Sequence, residues 1–263
     1  MKVNLVGLTT PSAYTGCHTA EELIVWAARV SNPSNQANKT TSARLLGYLI
    51  TNAHWSPLEL VSMTVEIVTT RDIARQILRH RSFTFQEYSQ RYANPLEDLQ
   101  FEFREARLQD PKNRQNSIAV DDKRLQETWN SMQYTNQCSA KIAYNWAIEN
   151  GIAKEQARSV LPEGNIQSVL QVQGTIRSWI HYCMLRMKNG TQKEHAEVAA
   201  MVLDIMSVHF PTIVETIKQM EEIAYLKDKA LEILVNKYNN DETISPEDEE
   251  LLLKFINTYS TKK

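Results

Sequence analysis

Seven glycines in 263 residues, no two of them separated by a single residue, constrain this chain more than any other feature. Dinucleotide-binding and P-loop folds both need a glycine-rich turn whose bare backbone can approach a phosphate. Neither can be built here, so a nucleotide held by this chain must be gripped by side chains. The obvious candidates lie in residues 71–92, RDIARQILRHRSFTFQEYSQRY, which carry six basic groups: Arg71, Arg75, Arg79, His80, Arg81 and Arg91. The net charge of the whole chain is only -2. A near-neutral protein that concentrates cations in one stretch either holds an anion there or presents a solvated, salt-bridged helix end. Arginine forks pair bidentately with phosphate, so Arg79, Arg81 and Arg91 are the candidate clamp.

The surrounding pattern is helix-dominated α+β. Residues 2–9 read as a strand, 19–31 as a helix capped by Thr19, and 41–52 as a second helix with Leu45, Leu46, Leu49 and Ile50 inward. The alternation of Val61, Met63, Val65 and Ile67 with Ser62, Thr64 and Glu66 gives a strand over 60–69. The arginine helix follows at once, with Arg71, Arg75 and Arg79 on one face and Ile73, Ile77 and Leu78 opposite. Residues 93–122 are polar, with breakers at Asn94-Pro95 and Asp110-Pro111 and a short strand expected at 101–103. A long helix spans 123–150, and its large apolar residues Trp129, Met132, Cys138, Ile142 and Trp146 can meet another copy of the chain as readily as their own core. A short helix at 153–159, a strand at 167–172, a helix at 175–187 and further helix over 191–222, broken near Phe210-Pro211, complete the domain. The Lys/Glu-rich tail 223–263 reads as a helical C-terminal extension, with a helix start at Ser245-Pro246.

This length buries roughly three-quarters of the unfolded surface without a disulfide or metal staple. Three scattered cysteines, Cys17, Cys138 and Cys183, give no zinc spacing and suit a reducing cytoplasm. No apolar run approaches the roughly 20 residues a membrane span needs. The balanced charge argues against a nucleic-acid coat. Ser89 has Glu87 two residues away and no His-Asp arrangement near it, and nothing local lowers the pKa of Cys138 or Cys183. Neither Ser89 nor a cysteine is therefore read as a nucleophile, and Ser89 is left a positioning role through its hydroxyl.

Arg79-His80-Arg81, seven residues, Ser89 and then Arg91 resemble the signature of the flavin-dependent thymidylate synthases. Three further segments match in order. They are His54, Ser56, Pro57 and Glu59, then Glu155 to Arg158 with Leu161-Pro162, then Arg177-Ser178, His181 and Leu185-Arg186, followed by Gln192 and Glu194. The likeness runs from about residue 20 to about 215. It implies a single domain over 1–222 with a small antiparallel sheet, a non-Rossmann flavin-binding fold, and homotetramers whose active sites are shared between subunits. It also implies reductive methylation of dUMP to dTMP, with 5,10-methylenetetrahydrofolate giving the carbon and NADPH-reduced FAD the hydride.

On that resemblance Gln76, Arg79, Glu87, Ser89, Arg91, Arg158 and Arg186 hold dUMP. Ser31, Ser56, Glu59, Arg79, His80, Arg81, Gln86, Glu87, Arg177 and His181 line the FAD, and Arg186, Ser89 and His54 stand closest to the chemistry; no metal is implied. Thr84 and Gln86 replace the usual serine and asparagine and keep the hydroxyl and the amide. Thr175 and Gly190 stand where asparagine and histidine are common, which leaves two polar contacts to FAD open. The alternative is a non-enzymatic RNA- or nucleotide-binding module in which Phe83, Phe85, Tyr88 and Tyr92 stack bases between the arginines.

Overall fold

The computed structural model describes residues 1–240 and 244–260. Four strands, β1 (Lys2–Leu8), β2 (Ser62–Thr70), β3 (Thr84–Glu87) and β6 (Gln167–Thr175), form one antiparallel sheet in the order β1-β2-β6-β3. The helices are α1 (Ala20–Ala28), α2 (Ser42–Thr51), α3 (Arg71–Ile77), α4 (Pro95–Asp98), α5 (Lys123–Glu149), α6 (Lys154–Ala157), α7 (Ile176–Arg186), α8 (Lys193–His209), α9 (Pro211–Asn240) and α10 (Pro246–Ser260). A separate hairpin pairs β4 (Arg107–Gln109) with β5 (Ser117–Ala119). The architecture is the helix-dominated α+β arrangement with a small antiparallel sheet. Among the described residues no helix is long and apolar enough to cross a membrane.

Two strand–helix junctions set the geometry of everything that follows. β2 passes into α3 between Thr70 and Arg71, and β6 passes into α7 between Thr175 and Ile176, with no loop at either place. The two strands pair antiparallel along their whole length, from Ser62↔Thr175 to Thr70↔Gln167. The helices therefore leave from opposite ends of the same strand pair. Ile176 N–H donates to Val61 at one end, and Arg71 N–H donates to Ile166 at the other, both at 2.9 Å. Thr175 caps α7 by accepting the Ser178 amide. Period-two alternation puts Met63, Val65, Ile67, Leu170 and Val172 inward against Ile73, Ile77, Trp179, Ile180 and the α8 residues Val198 and Val202. The Trp179 indole, fully buried, is satisfied by the Met63 carbonyl at 3.0 Å.

β3 is the strand that periodicity does not announce. Four residues are too few to show an alternation, and the strand exists because Thr84 to Glu87 pair with Gln173 to Leu170. Phe83, just before it, is 7% exposed and stacks on Trp179 with ring centroids 4.3 Å apart. Gly174 makes room for that ring, since a Cβ there would lie inside the Phe83 edge. Gly174→Ala should destabilise the protein by roughly 1–3 kcal/mol through overpacking, read as a lower urea midpoint at unchanged slope; an unaltered midpoint would contradict the packing.

Two other expectations, the strand at 101–103 and the arginine face running on to Arg79, are corrected. The strand expected at 101–103 is an isolated bridge from Phe101 to Ile166. The polar stretch instead folds into the β4–β5 hairpin, its turn organised by Asp110, which accepts the Lys112 and Asn113 amides and the Asn116 side chain. α3 ends at Ile77, so Arg79 sits on the turn beyond it and does not extend a face begun by Arg71 and Arg75. α5 turns its small residues Ala140 and Ala147, with Tyr144, inward; Met132, Ile142 and Trp146 are exposed. α9 runs unbroken across residues 222 and 223, burying Leu226 and Ala230, and α10 folds back on it with Lys254 on Glu222 at 2.9 Å. Residues 241–243 and 261–263 of the expected extension lie outside the described residues.

Candidate active site

α7 distributes its three named polar residues by helical spacing. Arg177 and His181 are one turn apart and share a face, while Arg186, nine residues after Arg177, points about 180° away. On the first face Arg177 is ion-paired with Glu59, and His181 stacks on Trp55 with centroids 4.6 Å apart. Burial lowers the His181 pKa, and the Arg177 charge lowers it further. A cleft of about 600 Å³ opens there, lined by His54, Trp55, Ser56, Glu59 and Arg177. A second cleft of about 530 Å³, carrying Ser31, Arg44 and Tyr48, shares Ala28 with the first. The His54 and Tyr48 rings meet edge-on at 5.5 Å across the boundary. Guanidinium groups, aromatic rings and hydroxyls along these adjoining clefts are groups that could hold a cofactor bearing both phosphate and a planar ring. Arg44, Tyr48 and Trp55 are not singled out by the sequence, where they read as helix surface and turn. Arg29, buried beneath, holds the intervening loop through the Asn38 carbonyl and Thr41 Oγ1.

On the opposite face Arg186 Nε donates to His80 Nε2 at 2.8 Å. That bond requires an unprotonated Nε2, so His80 is neutral with its proton on Nδ1. Burial pushes the His80 pKa down to about 4, with the Arg186 charge adding to the shift. His195, wholly buried, lies with its ring centroid 6.3 Å from that of His80 and 5.7 Å from that of Tyr182. Its pKa falls to about 3, first through burial and then through Arg186 and His80. Gln76 joins the group, its Oε1 3.2 Å from His195 Nδ1 and its Nε2 donating to Gln192 Oε1 at 2.7 Å. Gln192 in turn donates to Glu194 at 2.9 Å, and Glu194 is clamped by Arg104 at 2.7 Å and Arg107 at 2.5 Å. Arg104, Arg107 and His195 were invisible to sequence reasoning. The arginines lie in the irregular polar stretch, and His195 looks like one more residue of an amphipathic helix.

A third group gathers around β3. Glu87 is held by Ser168 Oγ at 2.8 Å and faces Arg75 at 3.5 Å and Arg71 at 3.7 Å, while both arginines also reach Glu163. Arg71 and Arg75 are thus ion-paired within the chain. Arg79 and Arg81 are exposed on the turn after α3, and Gln86 is exposed on β3. Ser89 Oγ accepts the Arg91 amide at 3.4 Å, shaping the turn that presents Arg91. Arg91 reaches Glu155 at 3.2 Å, and Lys154 reaches the Tyr92 carbonyl at 3.0 Å, which ties α6, the helix that Arg158 ends, to the turn after Ser89.

Cys183 is buried and donates to the Ala199 carbonyl, and burial pushes its thiol well up. It is a packing residue, not a nucleophile. Phe83 is buried and Phe85 packs against the core, while the Tyr88 hydroxyl is bonded to Asp98. Of the four rings that a base-stacking RNA module would use, Tyr92 alone is exposed.

Residues 13–212 match the family model Thy1, described as thymidylate synthase complementing protein. The chain is 46% identical over 217 residues to a probable flavin-dependent thymidylate synthase of Paramecium bursaria Chlorella virus 1, covering 82% of this chain and 99% of that one. It is 45% identical to the flavin-dependent thymidylate synthase of Synechocystis sp., over 81% of this chain and 97% of the relative. Among solved structures it resembles the UMP/dUMP methylase PolB of Streptomyces cacaoi bound with 5-Br dUMP. That match has a TM-score of 0.68 at 25% identity and covers 82% of this chain and 94% of that one. The chain belongs to the flavin-dependent thymidylate synthase family.

Proposed function

We propose that the protein methylates dUMP reductively to dTMP, using FAD, with 5,10-methylenetetrahydrofolate as carbon donor and NADPH as reductant. The observation that carries this reading is the convergence of Gln76, His80 and Arg186, from α3, the turn after it and α7, in a chain of this family. When bound and reduced, the flavin supplies the hydride that completes the methyl group. The trough bounded by Ser31, His54, Ser56, Glu59, Arg177 and His181 of one copy of the chain receives it, and Arg79, His80, Arg81, Gln86 and Glu87 of another copy meet its reacting end. Arg186, oriented by His80, lies where it stabilises negative charge developing on the uracil ring. Gln76 binds the pyrimidine, and Arg79, Glu87, Ser89, Arg91 and Arg158 bind the sugar phosphate. Neutral His80 contributes no second cation beside Arg186, so the guanidinium charge is left for the substrate.

The division of α7 supports a shared site. Arg186 points about 180° away from Arg177 and His181, so a flavin on the first face approaches dUMP from another copy of the chain. The exposed Met132, Ile142 and Trp146 of α5 provide apolar surface for that assembly, a cytoplasmic homotetramer. Residues 1–222 form the catalytic domain, and 223–263 a helical extension built on the end of α9. The test is an absorbance spectrum of the purified protein with and without dUMP, followed by tritium release from 5-tritiated dUMP with NADPH and the folate present. A flavin band perturbed by dUMP, and tritium release that needs both co-substrates, are expected. Protein that stays colourless after reconstitution with FAD sinks the reading.

A further inference from the structure

Primary amides are ambiguous readers, because a flip exchanges their donor and acceptor ends. The Gln76 amide is an exception, and the reason lies two residues away along a hydrogen-bonded chain. Glu194 is the anchor. Burial raises its pKa, but its own backbone amide, the Arg107 hydrogen bond and the Arg104 charge outweigh burial and leave it lowered, so it is ionised and can only accept. Gln192 must therefore turn its NH2 toward Glu194, 2.9 Å away, which leaves its oxygen facing Gln76. Gln76 must turn its NH2 toward that oxygen, at 2.7 Å, which leaves its own oxygen facing His195 at 3.2 Å. That oxygen can only accept, so His195 donates from Nδ1 and carries its proton there. Every orientation follows from one buried charge. Arg104 is fixed in turn by Thr70 Oγ1 and Asp72, at 2.5 and 2.8 Å, so the anchor is tied to the end of β2.

Each end of the Gln76 amide keeps one valence, an N–H and a lone pair, in a fixed order. Uracil offers an N3–H donor beside a carbonyl acceptor, while cytosine offers an N3 acceptor beside an amino donor. A fixed amide complements one and opposes the other; a free amide flips to suit both. We propose that Glu194, Gln192 and His195 are positioning residues that lock Gln76 as a uracil reader and so set selectivity for dUMP over dCMP. This rests on the assignment of Gln76 to the pyrimidine, proposed above.

The experiment titrates FAD-loaded protein with dUMP and with dCMP, following the flavin band, in wild type, Gln192→Met, His195→Leu, Gln76→Ala and the Gln76→Ala/Gln192→Met double variant. Flavin retention and Tm are measured alongside, and His195→Leu, an apolar swap at a buried site, serves if Gln192→Met fails to fold. Wild type should prefer dUMP strongly, because a buried donor facing a donor is rejected heavily. Gln192→Met and His195→Leu should each lower the dUMP:dCMP affinity ratio by roughly tenfold or more. In the Gln76→Ala background the second substitution should change the ratio no further, since the chain acts only through Gln76. Unchanged selectivity in the folded single variants, or independent additive losses in the double variant, would overturn the proposal. Absence of any dUMP response in wild type would overturn the functional assignment together with what is built on it.

Discussion

Arg186→Ala is expected to lower dTMP formation by roughly 10²–10³-fold, the cost of removing one preorganised electrostatic group from a reacting centre. The side chain is half-buried at the end of α7, and its Nε bond to His80 fixes the direction of the fork. Two things are lost together in the variant, the charge proposed to face the pyrimidine and the partner that orients the His80 ring. Arg186→Lys should restore little of the turnover. An ammonium keeps the charge but cannot donate from the Nε position while presenting a planar fork to a ring. The core stays intact because Tyr182 and Cys183, not Arg186, carry that turn of the helix into the interior. Tritium release under saturating co-substrates measures the first expectation, and flavin content and Tm measure the second. Turnover within a few-fold of wild type in folded, flavin-loaded Arg186→Ala would remove this residue from the chemistry.

Acidification should weaken the fold before Glu194, whose pKa is lowered, takes up a proton. His80 and His195 are both held neutral in the folded state, at pKa values of about 4 and about 3, first by burial and then by Arg186. Unfolded, each returns to about 6.5. The depressed folded value means that stability is fully present above about pH 6.5 and falls as pH drops toward 4, where the unfolded chain binds protons that the folded chain refuses. Each pH unit below 6.5 costs about 1.4 kcal/mol per histidine kept neutral. Solvent screening trims the share of His80, which is only half-buried. A loss of a few kcal/mol by pH 4 is the expected sum. His181 shifts in the same direction, from the opposite face of α7. His195→Leu should flatten the urea-derived stability profile across this window, because it removes the deeper of the two shifted groups. A profile of wild-type steepness in that variant would place the acid sensitivity elsewhere.

Much of the local structure was legible because faces repeat. Alternation in β2, apolar spacing in α2 and α7, and stop signals at Asn150-Gly151 and Phe210-Pro211 each report a single element and need no partner. What failed to show were pieces whose existence depends on a partner. β3 is a strand only because β6 lies beside it, and the β4–β5 hairpin hides in a polar stretch where β-branched residues are scarce. Arg71 and Arg75 looked like free cations until Glu87 and Glu163 were found beside them.

The sequence alone settled that no glycine-rich phosphate loop exists, and it singled out the arginines and the four ordered segments that carry the family resemblance. Only the tertiary structure decided which of those groups meet. Gln76 and Gln192, or His80 and Arg186, are more than a hundred residues apart, and they touch because β2 and β6 pair antiparallel and send α3 and α7 back over one face of the sheet from opposite ends. Side-chain spacing records how a segment presents its own residues. The partner of each face is set by strand register and helix packing, which belong to the whole chain at once.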